Sequence, residues 1–94
     1  MSAENKTGAM ADQGVRFDVS RRKNKKYDAV LPGGRRVPFG DKRYEQFRDD
    51  TPLKAYKHLD HGDPKRRANY FARHGRDAKL HSAGYLACKY LWGG

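Results

Sequence analysis

The sequence predicts a small α+β domain in which an antiparallel β-hairpin or three-stranded sheet is followed by three to four short helices. Between residues 15 and 40, apolar residues alternate with polar ones around a Pro-Gly turn. Further along the chain, apolar residues recur at helical spacing in short segments that begin at Asp, Thr or Ser. We expect residues 15–94 to form this single domain and residues 1–14, which are small and polar, to form a flexible tail.

The first predicted strand is a short alternating segment. Val15, Phe17 and Val19 alternate with Arg16 and Asp18, which is typical of a strand with one buried face. The run RRKNKK follows it and is expected to form a basic loop or solvated patch, the alternative being a specific contact or a nuclear localisation signal.

A β-hairpin is predicted for KYDAVLPGGRRVPFG, which begins at residue 26. Pro32 and Gly33 suit the two central positions of a type II turn, because proline fixes φ and glycine accepts a positive φ. Tyr27 and Phe39 then point to the same face from opposite arms. Pro38 has no N–H to donate, so the second arm is expected at an edge of the sheet.

Two short helices are expected between the hairpin and residue 62. The first begins at Asp41 and places Tyr44 and Phe47 on one face. The second is capped by Thr51, has proline at its first position, and ends at Gly62.

The last two predicted helices carry strong capping signals. Asp63 and Pro64 begin a helix that Gly75 ends, and Ser82 caps the final segment AGYLACKYLW. The expected apolar stripes are Ala68, Phe71 and Ala72 in the first, and Ala83, Ala87, Tyr90 and Leu91, with Leu86 alongside, in the second.

Composition favours a binding protein that needs a partner. Of the 94 residues, 36% are hydrophobic and 12% aromatic, so the core is small but the chain is not typical of a disordered protein. The net charge of +10 attracts nucleic acid, anionic membranes or acidic proteins. The sequence has one cysteine, no apolar run near the length of a membrane span and no signal-peptide pattern. These features favour a location in the cytoplasm or nucleus.

The cluster of His58, Asp60, His61 and Asp63 raises the question of a metal site. Structural zinc usually has four ligands, often with cysteine, and Cys88 is remote in sequence, so helix capping and surface histidines explain the cluster better. None of the four histidines is singled out as a partner for the thiol. We therefore expect no metal, no cofactor, no small-molecule substrate and no enzymatic activity.

An interaction face is predicted on the helix that follows Asp63. Arg66, Tyr70 and Arg73 share one side of it, with Arg67 beside them, and guanidinium groups bind phosphates or carboxylates with two hydrogen bonds. The alternative is a solvated face paired with nearby aspartates. The complete predicted set of basic and aromatic contact residues is Arg21, Arg22, Lys23, Lys25, Lys26, Tyr44, Arg66, Arg67, Tyr70, Arg73 and Trp92.

The chain resembles a family of small basic virion-associated proteins of nucleocytoplasmic large DNA viruses, of the algal virus and iridovirus type. The resemblance lies in the order of its segments, which are the basic run, the hairpin, FGDKRYEQF, HLDHGDPKRRANYFARHG and the terminal GYLACKYLW. The resemblance covers about residues 25 to 92. Its specific positions are Phe39, Gly40, Tyr44, Asp63, Lys65, Arg66, Asn69, Tyr70 and Arg73, with the closing aromatic helix.

The resemblance implies a minor capsid protein that lies beneath the major capsid lattice and binds major and other minor capsid proteins through basic and aromatic surfaces. Viral DNA and the anionic inner membrane are further candidate partners. The expected location is the virion, and the host cytoplasm or nucleus during assembly. The alternative is a basic core protein that binds viral DNA non-specifically.

Overall fold

A computed structural model describes residues 12–94 and shows an α+β fold, as the sequence predicts. Of the predicted tail, residues 1–11 lie outside the described residues. The elements are β1 (Arg16–Val19), β2 (Lys25–Val30), β3 (Arg36–Asp41), a single 3-10 turn (Lys57–Leu59), α1 (Pro64–His74) and α2 (Ala83–Leu91).

The three strands form one antiparallel sheet in the order β1-β2-β3. Tyr27 pairs with Phe39 and Ala29 with Val37, which is the register expected for the hairpin. The strand that contains Pro38 lies at the edge of this sheet, as its missing N–H requires.

The turn between β2 and β3 has the predicted geometry. The backbone N–H of Gly34 donates to the carbonyl of Leu31 at 2.9 Å, which closes a four-residue turn around Pro32 and Gly33. Gly33 has a φ of 98°, the positive value that a type II turn needs at this position.

The core lies between the sheet and α2. Leu86 and Leu91 of α2 are almost fully buried, and the core cluster consists of Tyr27, Ala29, Val37, Phe39, Leu86 and Leu91. The helix approaches β3 so closely that a Cβ at Gly40 would lie 2.8 Å from the Leu91 Cδ1 atom. Only glycine fits there, and its φ of 77° also favours glycine.

The prediction of two helices between residues 41 and 62 is wrong. Asp41 ends β3, and the 3-10 turn is the one helical element in this segment. The segment folds instead around the buried carboxylate of Asp49, which accepts hydrogen bonds from Tyr27 OH at 2.5 Å, from Thr51 N at 2.9 Å and from Tyr56 N at 3.1 Å. A side chain that binds these backbone N–H groups competes with helix formation.

A second buried polar side chain, Gln46, joins the start of this segment to its end. Its backbone N–H donates to Leu59 O at 3.2 Å, and its side-chain amide donates to Tyr56 O at 2.7 Å and to Asp60 Oδ1 at 2.6 Å. Gln46 and Asp60 also form an isolated parallel bridge. The segment is therefore held by specific hydrogen bonds despite its irregular backbone.

Both predicted helix caps of the last two helices are confirmed. Asp63 Oδ1 accepts from Lys65 N at 2.9 Å and from Arg66 N at 3.4 Å, and Ser82 Oγ accepts from Tyr85 N at 3.2 Å. These bonds satisfy N–H groups that have no partner within the first helical turn.

Burial differs from the predicted apolar stripe on α1. Phe71 is buried, but Ala68 and Ala72 are exposed, and Arg67 and Tyr70 are half-buried beside Phe71. The inward face is thus made of aromatic and amphipathic side chains, whose bodies pack while their polar ends find partners.

The strand β1 also differs at one predicted core position, because Val19 at its end is 50% exposed. Phe17 of the same strand is partly buried and packs against Tyr90 of α2, with ring centroids 4.7 Å apart. The buried face of β1 is therefore shorter than the alternation predicted.

The described chain begins with a contact to α2. The Asp12 side chain is 8% exposed and accepts hydrogen bonds from Tyr85 OH at 3.0 Å, from Tyr90 OH and from Lys89, with His81 Nε2 at 3.1 Å. Burial alone would raise the pKa of Asp12, but these donors outweigh it and hold the pKa below its ordinary value.

Candidate functional site

The structure contains an open cleft of about 670 Å³. One side of it is formed by the end of β3 and the segment after β3, and the other side by α1 and the end of α2. We call it the α1 cleft. It brings together six of the residues that the sequence analysis singled out: Lys26, Tyr44, Arg66, Tyr70, Arg73 and Trp92. Their roles as contact residues stay a prediction.

One wall of the α1 cleft is a stack of rings. Tyr70 of α1 stacks on Trp92 with ring centroids 4.2 Å apart and planes 8° apart, and His74 lies 4.4 Å from Tyr70 on the same helix. Behind Trp92, the His61 ring lies at 5.3 Å. The stack fixes Trp92 against α1 by aromatic packing.

Arg67 packs behind this wall. The prediction that Arg67 belongs to the exposed contact face of α1 is therefore wrong. Its guanidinium donates to Trp92 O at 2.7 Å and to Gly93 O at 3.0 Å, and lies over the rings of Phe47 and Phe71. It thereby satisfies carbonyls at the end of α2, where the helix has no further N–H to offer.

Lys26 also differs from the prediction of a surface cation, since it is 2% exposed. Its ammonium donates to Tyr44 O at 2.9 Å and to the side-chain oxygen of Gln46. Burial lowers the pKa of Lys26 to about 8, and the nearby carboxylates offset this only in part. Lys26 therefore positions the backbone that carries Tyr44 along the α1 cleft.

The acidic side chains of the α1 cleft already have cationic partners. Asp41 accepts from Arg43 Nε at 3.0 Å and Nη2 at 2.7 Å, and this pair lowers the pKa of Asp41 to about 2. Glu45 accepts from Arg66 at 2.9 Å. Arg73 forms no salt bridge with any residue that the structure describes. Among the described residues, the positive charge of Arg73 at the rim therefore has no salt-bridge partner.

Three of the other four predicted cations lie in the connection between β1 and β2. Arg21, Arg22 and Lys23 are exposed there, whereas Lys25 is half-buried in β2. Lys42 lies beside this connection, because its backbone N–H donates to the carbonyl of Asn24 at 3.0 Å. We call Arg21, Arg22, Lys23 and Lys42 the basic turn.

The histidine and aspartate cluster has structural contacts. Asp60 accepts from Asp49 N at 2.8 Å, and His61 Nδ1 accepts from Asp63 N at 2.9 Å. Among residues 12–94, no group of three or more His, Cys, Asp or Glu side chains is placed to hold a metal ion.

Cys88 lines a smaller cavity of about 250 Å³ with Arg76 and Tyr85. Burial raises the pKa of the Cys88 thiol, despite the nearby guanidinium groups. The thiol is therefore protonated at neutral pH, which is the less nucleophilic form.

Sequence reasoning missed the residues that organise the α1 cleft from behind. Gln46 and Asp49 carry no periodic or motif signal, because most of their partners lie far away in the chain: Lys26 is 20 residues from Gln46, and Tyr27 is 22 residues from Asp49. Asn69, by contrast, lines the α1 cleft and belongs to the motif on which the resemblance is based.

The model of a family described as "Family of unknown function (DUF5754)" matches residues 15–74. The match spans the sheet, the irregular segment and α1. No curated protein and no solved structure matches the chain. Within residues 12–94, no helix has the length and apolar character that crossing a membrane requires.

Proposed function

The chain belongs to DUF5754, a family of unknown function, and we propose that it is a virion structural protein, a minor capsid component that binds neighbouring capsid proteins beneath the major capsid lattice. The proposal of a virion is supported by the resemblance described above. The proposal of protein binding is supported by the geometry of the α1 cleft.

The observation that carries the proposal is an open cleft with a positive rim and aromatic walls. Tyr44 is 65% exposed at this cleft, while Tyr70 and Trp92 form its opposite wall. Tyrosine, tryptophan and arginine are the side chains that most often anchor protein interfaces. Because Arg73 has no salt-bridge partner within residues 12–94, the cleft suits an acidic segment of a neighbouring protein that also carries an apolar or aromatic side chain.

The ion pair at the rim can be exchanged at little cost. The side chains of Arg66 and Glu45 are 48% and 52% exposed, and exposed pairs of this kind contribute little to stability. A carboxylate of the partner can therefore replace Glu45 on Arg66 and form a second charged contact beside Arg73.

Fractionation of disrupted virions tests the proposed location. We expect the chain to stay with the shell after the membrane and genome are removed, in a copy number that follows the symmetry of the lattice. Recovery with the DNA core, or absence from the virion, would refute the proposal. Recovery with the core would support the alternative of a non-specific DNA-binding protein.

Rebinding of purified chain to stripped shells tests the α1 cleft. Arg73→Glu and Tyr44→Ala are each expected to weaken binding about tenfold or more, as for anchor residues of an interface. Lys79→Glu is the matched control, because Lys79 is exposed and lies outside the α1 cleft. Equal losses for Arg73→Glu and Lys79→Glu would show that net charge, and not this cleft, determines binding.

A further inference from the structure

The basic turn is an ordered structure. Arg22 N donates to Ser20 Oγ at 3.1 Å, Lys25 N donates to Arg22 O at 3.2 Å, and Asn24 takes a positive φ of 63°. The bond from Lys42 N to Asn24 O joins it to the residues that follow β3. The backbone positions of its four cationic residues are therefore held near one another.

The charges of the basic turn are not neutralised by other residues that the structure describes. Arg36, Arg43, Arg48 and Arg66 each form a salt bridge with an aspartate or glutamate, but no member of the basic turn does. The adjacent carboxylate of Asp41 is engaged by Arg43 through two hydrogen bonds. Like charges held close together repel each other, so this arrangement opposes folding unless an anion is bound.

We propose that the basic turn binds the phosphodiester backbone of nucleic acid without sequence preference. Four clustered cations match a ligand whose negative charges repeat at short intervals. A guanidinium group can donate two hydrogen bonds to the oxygens of one phosphate. Arg21 and Arg22 could therefore each bind a phosphate of the same backbone.

This site is distinct from the α1 cleft and goes beyond the proposed function. No member of the basic turn lines the cleft. A minor capsid protein with both sites would join the shell to the genome, but nucleic-acid binding by the basic turn does not depend on the shell partner. The two sites can therefore be tested with separate variants.

The test measures fluorescence anisotropy of a labelled DNA duplex of about 20 base pairs, an oligo-dT of the same length and polyglutamate, at several salt concentrations. The variant combines Arg21→Ser, Arg22→Ser and Lys23→Ser. The matched control combines Arg35→Ser, Lys57→Ser and Lys79→Ser, which removes the same charge from exposed positions outside the turn. Circular dichroism checks that both keep the fold.

We expect the chain to bind both DNA probes with an affinity that falls steeply with salt. The turn variant should bind duplex at least about tenfold more weakly, with a salt slope reduced by about 2 to 3, since each lost phosphate contact reduces it by about 0.9. The control should retain most of the wild-type affinity and slope. Comparable values for duplex and oligo-dT indicate recognition of the shared backbone, and a preference for one identifies the form bound.

Three outcomes would overturn the proposal. One is the absence of binding to either DNA probe. Another is an equal loss in the turn variant and the control, which would make binding a property of net charge. The last is binding of polyglutamate as tight as that of DNA and equally sensitive to the turn variant, which would identify an acidic protein as the ligand.

Discussion

Among single residues, Lys26 shows the burial of a charged amine, which destabilises the fold at neutral pH. Lys26 lies in β2 at 2% exposure, with its ammonium bound to Tyr44 O and to Gln46. Burial lowers the pKa of Lys26 to about 8. The pattern KNKKY gave no sign of this, because adjacent lysines in a basic run are usually solvated.

The lowered pKa predicts an unusual pH dependence of stability. The unfolded chain binds this proton with a pKa near 10.4 and the folded chain with one of about 8, so the free energy of unfolding should rise between these pH values. The full rise is about 3 kcal/mol, at about 1.4 kcal/mol per pKa unit. Below pH 8 the cost of the charged form is fully present.

Urea denaturation at a series of pH values from about 7 to 10.5 measures the free energy of unfolding over roughly the range in which the lysine titrates. A Lys26→Met chain should lack the rise, whereas Lys23→Met, which changes an exposed lysine, should keep it. Parallel curves for the wild type and Lys26→Met would show that the amine titrates normally.

At the scale of elements, α1 begins where its N-cap side chain satisfies the first N–H groups. Asp63→Ala removes the acceptor for Lys65 N and Arg66 N and should lower the free energy of unfolding by about 1 kcal/mol. Asp63→Asn should keep most of the stability, since asparagine also caps helices. Asp77→Ala, at an exposed position between the helices, is the control.

Urea denaturation and the far-ultraviolet circular dichroism signal check the cap. A loss in Asp77→Ala as large as that in Asp63→Ala would point to general charge effects. Unchanged stability and helix content in Asp63→Ala would mean that packing of Phe71 alone determines where α1 forms.

The segment from residue 42 to residue 62 shows why capping signals are insufficient elsewhere. Asp41 and Thr51 resemble caps in the sequence, but Asp41 binds Arg43 and Thr51 donates to Asp49. In α1 the capping side chain bonds to the helix that follows it. In residues 42 to 62 the buried side chains of Gln46 and Asp49 also bond to distant partners, and these bonds override the local preference for a helix.

At the scale of the whole molecule, stability depends on a small core under strong positive charge. Eight hydrophobic residues are buried among residues 12–94, and the chain carries a net charge of +10. Conformational entropy opposes folding by about 1 to 2 kcal/mol per ordered residue, so a core of this size leaves a narrow margin. Relief of charge repulsion by an acidic partner or nucleic acid would widen it.

We therefore expect the isolated chain to be marginally stable or to aggregate, and a bound polyanion to raise its melting temperature. Thermal denaturation of dilute protein, with and without duplex DNA or polyglutamate, measures both effects. Of the aromatic residues expected at interfaces, Tyr44 is the one left largely exposed, so partner binding should cover it. A cooperative melt at high temperature without any partner would show that the core is sufficient by itself.

The elements with local signals could be predicted from the sequence. Pro32 and Gly33 define the hairpin turn, and Asp63 and Ser82 define where the two α-helices begin. Each of these signals works through atoms within about four residues of one another, since φ restrictions and capping bonds act along the chain. A pattern of residue types can therefore reveal them.

Long-range packing determines which side chains meet to form the α1 cleft and which are buried behind it, and local sequence signals do not reveal it. Tyr27 and Asp49 are 22 positions apart, Arg67 and Trp92 are 25 apart, and Asp12 and Tyr90 are 78 apart. A sequence pattern does not show whether a lysine or arginine side chain is solvated or buried. Both are possible, because the long stem is apolar and the charged end can bind partners that are distant in the chain. The burial of Lys26 and Arg67 followed from the docking of α2 and of the segment after β3, which no local signal encodes.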